Sequence, residues 1–75
     1  MITSEELDVL RQIRSKTGGI IGYATLRLKE GNTEAIVRSL EKKGYLTDVG
    51  YDYHHPLIHM RLTQAGDACL GMYRR

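Results

Sequence analysis

The sequence feature that most constrains the fold is the helical spacing of apolar residues between Asn32 and Gly44. At about 100° per residue, one face of a helix there collects Thr33, Ile36, Val37 and Leu40. Asn32 is a residue type that caps helix starts, and Gly44 is the type that follows helix ends in a left-handed conformation. The segment therefore predicts an amphipathic helix that buries this face in a core.

The opposite face of this helix is polar and partly basic. Its centre holds Ala35, Arg38 and Lys42, and its margins hold Glu34, Ser39 and Glu41. A basic helix face suits a polyanion, yet an ordinary solvated helix has the same composition. From the residues alone, this face is either a nucleic-acid surface or a solvated or protein-binding one.

A first helix is predicted close to the amino terminus. Thr3 and Glu6 have the spacing of a capping box, with Ile2 and Leu7 placed as a hydrophobic staple around it. Apolar residues then recur at helical spacing until a pair of glycines ends the pattern. We expect a helix over residues 4 to 16.

The segment from residue 20 to residue 31 fits two periods. Its apolar side chains can be spaced as in a strand or as in a helix. We predict a short extended piece over residues 19 to 21, followed by a short second helix over residues 22 to 29. Glycine and asparagine then supply a turn before the amphipathic helix.

A hairpin is predicted beyond Gly44. Residues 45 to 53 are rich in Tyr, Val and Thr, and residues 57 to 62 alternate between two sets of side chains. Pro56 belongs in the connecting loop because it lacks an amide hydrogen for strand pairing. Apolar residues of the first strand change face, which predicts a bulge or a strand end near Gly50.

A last helix is predicted after Thr63, which is a plausible cap. Its apolar side chains are Ala65, Cys69, Leu70, Met72 and Tyr73. Cys69, Leu70, Met72 and Tyr73 are either the surface of a homodimer or the side chains that close the core over the first helix.

The size and composition of the chain set its class. Seventy-five residues support one hydrophobic core, so residues 1 to 75 are expected to form one domain. No apolar run has the length of a membrane span, and the early acidic residues do not fit a signal peptide. A lone Cys69 excludes an internal disulfide. We therefore expect a cytoplasmic protein.

Charge is distributed unevenly although the net charge is only +2. Residues 1 to 10 carry three acidic residues and no basic one, whereas residues 11 to 43 carry eight basic residues against three acidic ones. The middle of the chain is therefore the basic part.

Two stretches resemble winged helix-turn-helix regulators of the MarR and PadR kind. Residues 33 to 46, TEAIVRSLEKKGYL, look like the recognition helix and first wing strand, and residues 61 to 66, RLTQAG, are similar to the entry into the last helix. The resemblance implies an α+β winged helix-turn-helix fold with a three-helix core, a two-stranded wing and a C-terminal helix. It also implies that the amphipathic helix, the third of the predicted helices, binds double-stranded DNA, typically to regulate transcription.

Individual roles follow from side-chain chemistry. Arg38 can donate two hydrogen bonds to a guanine edge, whereas Lys42 is expected to neutralise a phosphate. Glu34 either accepts from a cytosine amine or repels a phosphate. The other candidate DNA contacts are Thr33 and Ser39 on the helix, Arg27, Lys29 and Lys43 beside it, and Arg61 as the one basic residue of the wing.

Other chemistries have weaker patterns. His54, His55, His59 and Asp52 match no standard metal-site spacing, so no metal or cofactor is predicted. Cys69 has no evident base with an orienting group, so no enzyme is predicted. The alternative function is a protein-binding module that uses the helix face or the tyrosine-rich hairpin.

Overall fold

Helices cover one side of a three-stranded antiparallel sheet in the computed structural model, which describes residues 2–28 and 31–73. The order of elements in these residues is α1 (Ser4–Thr17), β1 (Tyr23–Arg27), α2 (Thr33–Lys42), β2 (Leu46–Asp52), β3 (Leu57–Leu62) and α3 (Gln64–Met72). Strand β3 lies between β1 and β2. None of the helices described is long and apolar enough to cross a membrane.

The core lies between the helices and one face of the sheet. Alternate residues of β1 and β3 point into it, and the residues between them remain on the other face. The buried apolar side chains are Leu10, Ile13, Ala24, Leu26, Val37, Leu40, Leu46, Ile58, Met60, Leu62, Cys69 and Leu70. Because every helix contributes to this one cluster, the described residues form a single two-layer α+β unit.

Helix α1 confirms the predicted first helix. The Thr3 hydroxyl accepts from the backbone N–H of Glu6, and the Glu6 carboxylate accepts from the backbone N–H of Thr3. Gly18 ends the helix with φ 71°, a left-handed conformation that suits glycine. The capping box therefore sets the start of α1 as the sequence indicates.

The predicted second helix over residues 22 to 29 is wrong, because the chain forms strand β1 there. Ala24 and Leu26 alternate with exposed residues and fill the core beside β3, with Ala24 opposite Met60 and Leu26 opposite Ile58. Residues 19 to 21, predicted as extended, form bends. The spacing of the apolar residues fits both a strand and a helix, and pairing with β3 selects the strand. A strand thus precedes α2, so the predicted helix-turn-helix pair does not form in the described residues.

Helix α2 is the amphipathic helix predicted from residue 33 onward. Val37 and Leu40 have no solvent exposure, and Ile36 is half-buried against the core. Asn32 occupies the N-cap position, but its side chain makes no capping hydrogen bond. Gly44 has φ 84° and lets the chain turn into β2. The predicted buried face is confirmed, whereas the predicted side-chain cap is not.

The hairpin also confirms its prediction. Strand β2 pairs with β3, and the register shifts between Thr47 and Gly50, where a bulge was expected. Asp48, within this irregularity, has φ 53°. The bulge explains why the apolar residues of β2 change face.

Helix α3 begins as predicted, since the Thr63 hydroxyl accepts from the backbone N–H of Gly66. Cys69 and Leu70 are buried in the core, whereas Met72 and Tyr73 are exposed. The alternative in which this helix closes the core is therefore confirmed for Cys69 and Leu70. These two residues are not available as a dimer surface.

Gly66 lies where α3 meets the start of the hairpin. A Cβ there would overlap the Tyr45 carbonyl oxygen, which accepts the Thr63 backbone N–H at 3.1 Å. We expect Gly66→Ala to lower the free energy of unfolding by about 2 kcal/mol or more, because backbone would have to move. Urea denaturation measures this change.

Gly71 provides the matched control on the same helix. Nothing lies within 4 Å of a Cβ built there. Gly71→Ala should therefore be neutral or stabilising by up to about 1 kcal/mol, from helix propensity. Equal destabilisation by both substitutions would contradict the close approach at Gly66.

Candidate nucleic-acid interface

The outward face of α2 is the surface on which the candidate site is built. Val37 and Leu40 hold the helix against the core, which turns Ala35, Arg38 and Lys42 toward solvent. Thr33, in the first turn, is half-buried. The structure thus brings the α2 candidates together on a helix with a fixed rotation about its axis.

One flank of α2 is attached to α1 through Glu6. This carboxylate is only 5% exposed, and its Oε1 accepts from Lys43 Nζ at 2.6 Å and from the Thr3 backbone N–H at 2.9 Å. The Ser39 hydroxyl donates to the other carboxylate oxygen. Ser39 and Lys43, both predicted as DNA contacts, therefore contribute to the joint between the helices.

The environment of Glu6 favours its ionised form. Burial alone would raise the pKa of this carboxyl, but hydrogen bonds from Lys43, Ser39 and Thr3 outweigh it and lower the pKa to about 2. Because three donors bind this carboxylate, its buried charge is compensated by hydrogen bonds. The sequence signal was the capping box, which identified Glu6 as a cap but not as the partner of α2.

The opposite flank of α2 carries Arg38, which is held in place by two neighbours. Glu34 Oε2 accepts from Arg38 Nε at 3.1 Å and from Nη2 at 2.8 Å. The guanidinium carbon lies 4.5 Å from the centroid of the Tyr51 ring on β2. The hydrogen bonds to Glu34 also raise the pKa of Arg38 above its usual value. Its side chain nevertheless remains 56% exposed.

Two tyrosines of the hairpin complete this group. The Tyr51 and Tyr53 rings stack with centroids 5.8 Å apart and planes 6° apart, and the Tyr53 hydroxyl donates to Glu34 Oε2 at 3.4 Å. We call Glu34, Arg38, Tyr51 and Tyr53 the arginine–tyrosine cluster. The i, i+2 spacing of these tyrosines predicts that they share one face of a strand, but their contact with α2 depends on the register shift in β2.

Lys42 lies on the same outward face of α2 as Arg38. It is exposed, and its ammonium group makes no hydrogen bond or ion pair with any residue that the structure describes. Its ammonium group can therefore meet an anion without first breaking an internal contact.

Two further basic candidates, Arg27 and Arg61, lie on the sheet. Arg27 and Arg61 alternate with core-facing residues and so occupy the outer face of the sheet. Arg61 Nη1 donates to Asp48 at 3.1 Å, and its guanidinium lies 5.5 Å from the Tyr23 ring centroid. Lys29 falls outside the described residues. Arg27 and Arg61 therefore lie on the sheet rather than on α2, and Arg61 belongs to the hairpin as predicted.

The histidines are dispersed. His55 pairs with Asp52 at 2.5 Å in the hairpin loop, and this hydrogen bond lowers the pKa of Asp52. His59 contacts Tyr23 edge to face on the outer face of the sheet. Within residues 2–28 and 31–73, no three His, Cys, Asp or Glu side chains are placed to hold a metal ion.

Comparisons with protein-family models, curated proteins and solved structures find no match to this chain. On the α2 face, exposed cations and an ordered aromatic contact occur together.

The ion pair and hydrogen bonds of Glu6 predict a specific dependence of the free energy of unfolding on pH. We expect Glu6→Gln to lower the free energy of unfolding by about 2 to 3 kcal/mol at pH 7, since Lys43 would lose its charged partner. Because the folded pKa of about 2 lies below the ordinary 4.5, the contribution is complete above pH 4.5. It is lost as the pH falls from 4.5 toward 2.

Urea denaturation of the two proteins across this pH range measures the difference. Glu5→Gln, in the same helical turn but exposed, is the control and should change stability little at any pH. A Glu6→Gln deficit that stays constant down to pH 2 would show that the carboxylate is not the source of the stability.

The arginine–tyrosine cluster predicts contrasting effects at Tyr51. Its hydroxyl is buried with no hydrogen-bond partner among the described residues, and this burial raises its pKa. Tyr51→Phe should therefore be neutral or stabilising by up to about 1 kcal/mol. Tyr51→Leu should cost about 1 kcal/mol or more, because the ring contacts with Arg38 and Tyr53 are lost. Equal losses in thermal denaturation of both variants would refute this assignment.

Proposed function

We propose that this chain binds double-stranded DNA by placing the outward face of α2 in the major groove. The observation that carries the proposal is that Arg38 and Lys42 are both exposed on one face of a helix whose other sides are fixed by Val37, Leu40 and Glu6. A fixed rotation of the helix is what base recognition requires.

The dimensions of α2 suit this role. Ten residues give a helix about 15 Å long, and the major groove is about 12 Å wide. Ala35, between the charged positions, has a small side chain that permits close approach to base edges. The helix can therefore enter the groove without displacing a large side chain.

Arg38 is proposed as the base reader, with Tyr51 as its support. Stacking on the Tyr51 ring limits the conformations of the long side chain, which reduces the entropy lost on binding. Glu34 occupies the Nε and Nη2 groups in the free protein. A guanine would therefore have to use the other edge of the guanidinium or displace Glu34.

Lys42 is proposed to neutralise a phosphate. It lies one helical turn beyond Arg38 on the same exposed face, at a distance suited to the backbone that borders the groove. As an unpaired ammonium among the described residues, it should contribute affinity that depends on salt.

We propose that these helices and strands form a winged-helix arrangement. Hairpin β2–β3 follows α2 and contacts it through the arginine–tyrosine cluster, as a wing beside a recognition helix would. The departure from the predicted element order is that strand β1 occupies the segment predicted as the second helix. We further propose cytoplasmic transcriptional regulation by a homodimer, because paired recognition helices fit half-sites about 34 Å apart.

Protein binding is the second candidate, and the arginine–tyrosine cluster favours it. Tyrosine and arginine are common in the energetic centres of protein interfaces, and Tyr53 is 65% exposed. The intramolecular pairing of Arg38 with Glu34 would also suit a surface not required to read bases.

Duplex binding measured over a salt series separates the two functions. Duplexes that the protein selects from a random pool should bind it with an affinity, measured by anisotropy, that falls steeply as salt rises. Arg38→Ala should weaken binding to a selected duplex by about tenfold or more. Lys42→Ala should lower the slope of log affinity against log salt by about one.

Lys16→Ala is the matched control, because it removes one exposed lysine from α1 instead of α2. It should change duplex affinity far less than Lys42→Ala does. Undetectable duplex binding at low salt, or equal effects of the two lysine substitutions, would count against DNA binding by α2.

A further inference from the structure

Strand β1 forms an edge of the sheet whose outer hydrogen-bonding groups are regularly spaced. Order β1-β3-β2 leaves one side of β1 without a strand partner in the described residues. The Leu28 N–H donates to Pro56 carbonyl oxygen at 3.2 Å, which continues the ladder between β1 and β3 by one pair. In an antiparallel ladder such pairs alternate with pairs that are not hydrogen-bonded. The backbone groups of Tyr23, Thr25 and Arg27 therefore point to the open edge.

The other edge of the sheet differs. Strand β2 carries the bulge between Thr47 and Gly50 and the positive φ of Asp48. Bulges interrupt the regular row of donors and acceptors and so prevent pairing with a further strand. No register shift occurs between β1 and β3. Among the strands that the structure describes, only β1 therefore offers a regular edge to another strand.

When two copies of β1 pair in antiparallel orientation, complementary side chains lie opposite each other. With Thr25 opposite its own copy, Tyr23 lies opposite Arg27 and Arg27 lies opposite Tyr23. All three side chains lie on the outer face, where Tyr23 and Arg27 can form a cation–π pair on each side of the two-fold axis. On the inner face, small Ala24 lies opposite larger Leu26.

We propose that two copies of this chain dimerise by antiparallel pairing of their β1 strands, centred on Thr25. The pairing forms a continuous six-stranded sheet, with hydrogen-bonded pairs at Tyr23, Thr25 and Arg27. No like charges lie directly opposite each other in this register. Ile20 and Ile21, exposed large apolar residues just before β1, lie beside the new contact.

The arrangement keeps both helical layers on the same side of the joined sheet. A two-fold axis between antiparallel strands runs perpendicular to the sheet, so it does not exchange the two faces. This dimer does not depend on DNA binding and is tested without DNA. It also uses none of the residues of α3 that are buried in the core.

Sedimentation of the full chain at concentrations from micromolar to millimolar tests the proposal. The wild type should approach twice the monomer mass of 8.5 kDa. Thr25→Lys should raise the dimer dissociation constant by at least about tenfold, because it places two like charges opposite each other at the axis. A wild type that remains monomeric at millimolar concentration overturns the proposal.

Thr47→Lys is the matched control, since Thr47 is an exposed threonine on the outer face of the same sheet but on β2. It should dimerise like the wild type. Equal loss of the dimer in both lysine variants would overturn the assignment to β1. Circular dichroism of each variant establishes that it is folded.

Amide hydrogen exchange on the unmodified protein provides a test that needs no substitution. The amides of Ala24 and Leu26 bond to β3 and should be protected at every concentration. The amides of Tyr23, Thr25 and Arg27 should become protected only as the dimer forms. Rapid exchange of these three amides at millimolar concentration would overturn the proposal even if Thr25→Lys failed to fold.

Discussion

The position of α2 depends on the ionised, nearly buried carboxylate of Glu6. Apolar packing of Val37 and Leu40 decides which face of the helix is inside. Glu6 adds a second constraint on the rotation of the helix about its axis, because the Ser39 hydroxyl and the Lys43 ammonium both donate to it from one flank. The opposite side of α2 is thereby presented to solvent in one orientation.

The two flanks of α2 use their charges differently. On the α1 side, cation and carboxylate form a largely buried joint, and their contribution is to stability. On the β2 side, Arg38 is paired and stacked yet more than half exposed, so the same contacts that order it leave it open to a ligand. A paired arginine in water gains little stability from its partner. The pairing of Arg38 with Glu34 therefore contributes little to the free energy of folding.

Local signals predicted the parts of the fold whose structure is decided locally. The Thr3–Glu6 capping box, the Thr63 cap and the spacing of Val37 and Leu40 set the bounds of helices as expected. Strand β1 was missed because its apolar residues fit two periods, and only pairing with β3 resolves them. The same limit applies to the candidate site: the sequence predicts Arg38 on the exposed face of α2, but its contact with Tyr51 depends on the bulge in β2. Long-range pairing and register cannot be read from one segment.

NMR titration of the labelled protein with a duplex that it binds tests whether the solvent-facing side of α2 meets DNA. If it does, amide and side-chain shifts should be concentrated at Ala35, Arg38 and Lys42, with little change on the outer face of the sheet at Thr25 and His59. Shifts confined to that outer face, or absent altogether at saturating duplex, would contradict it.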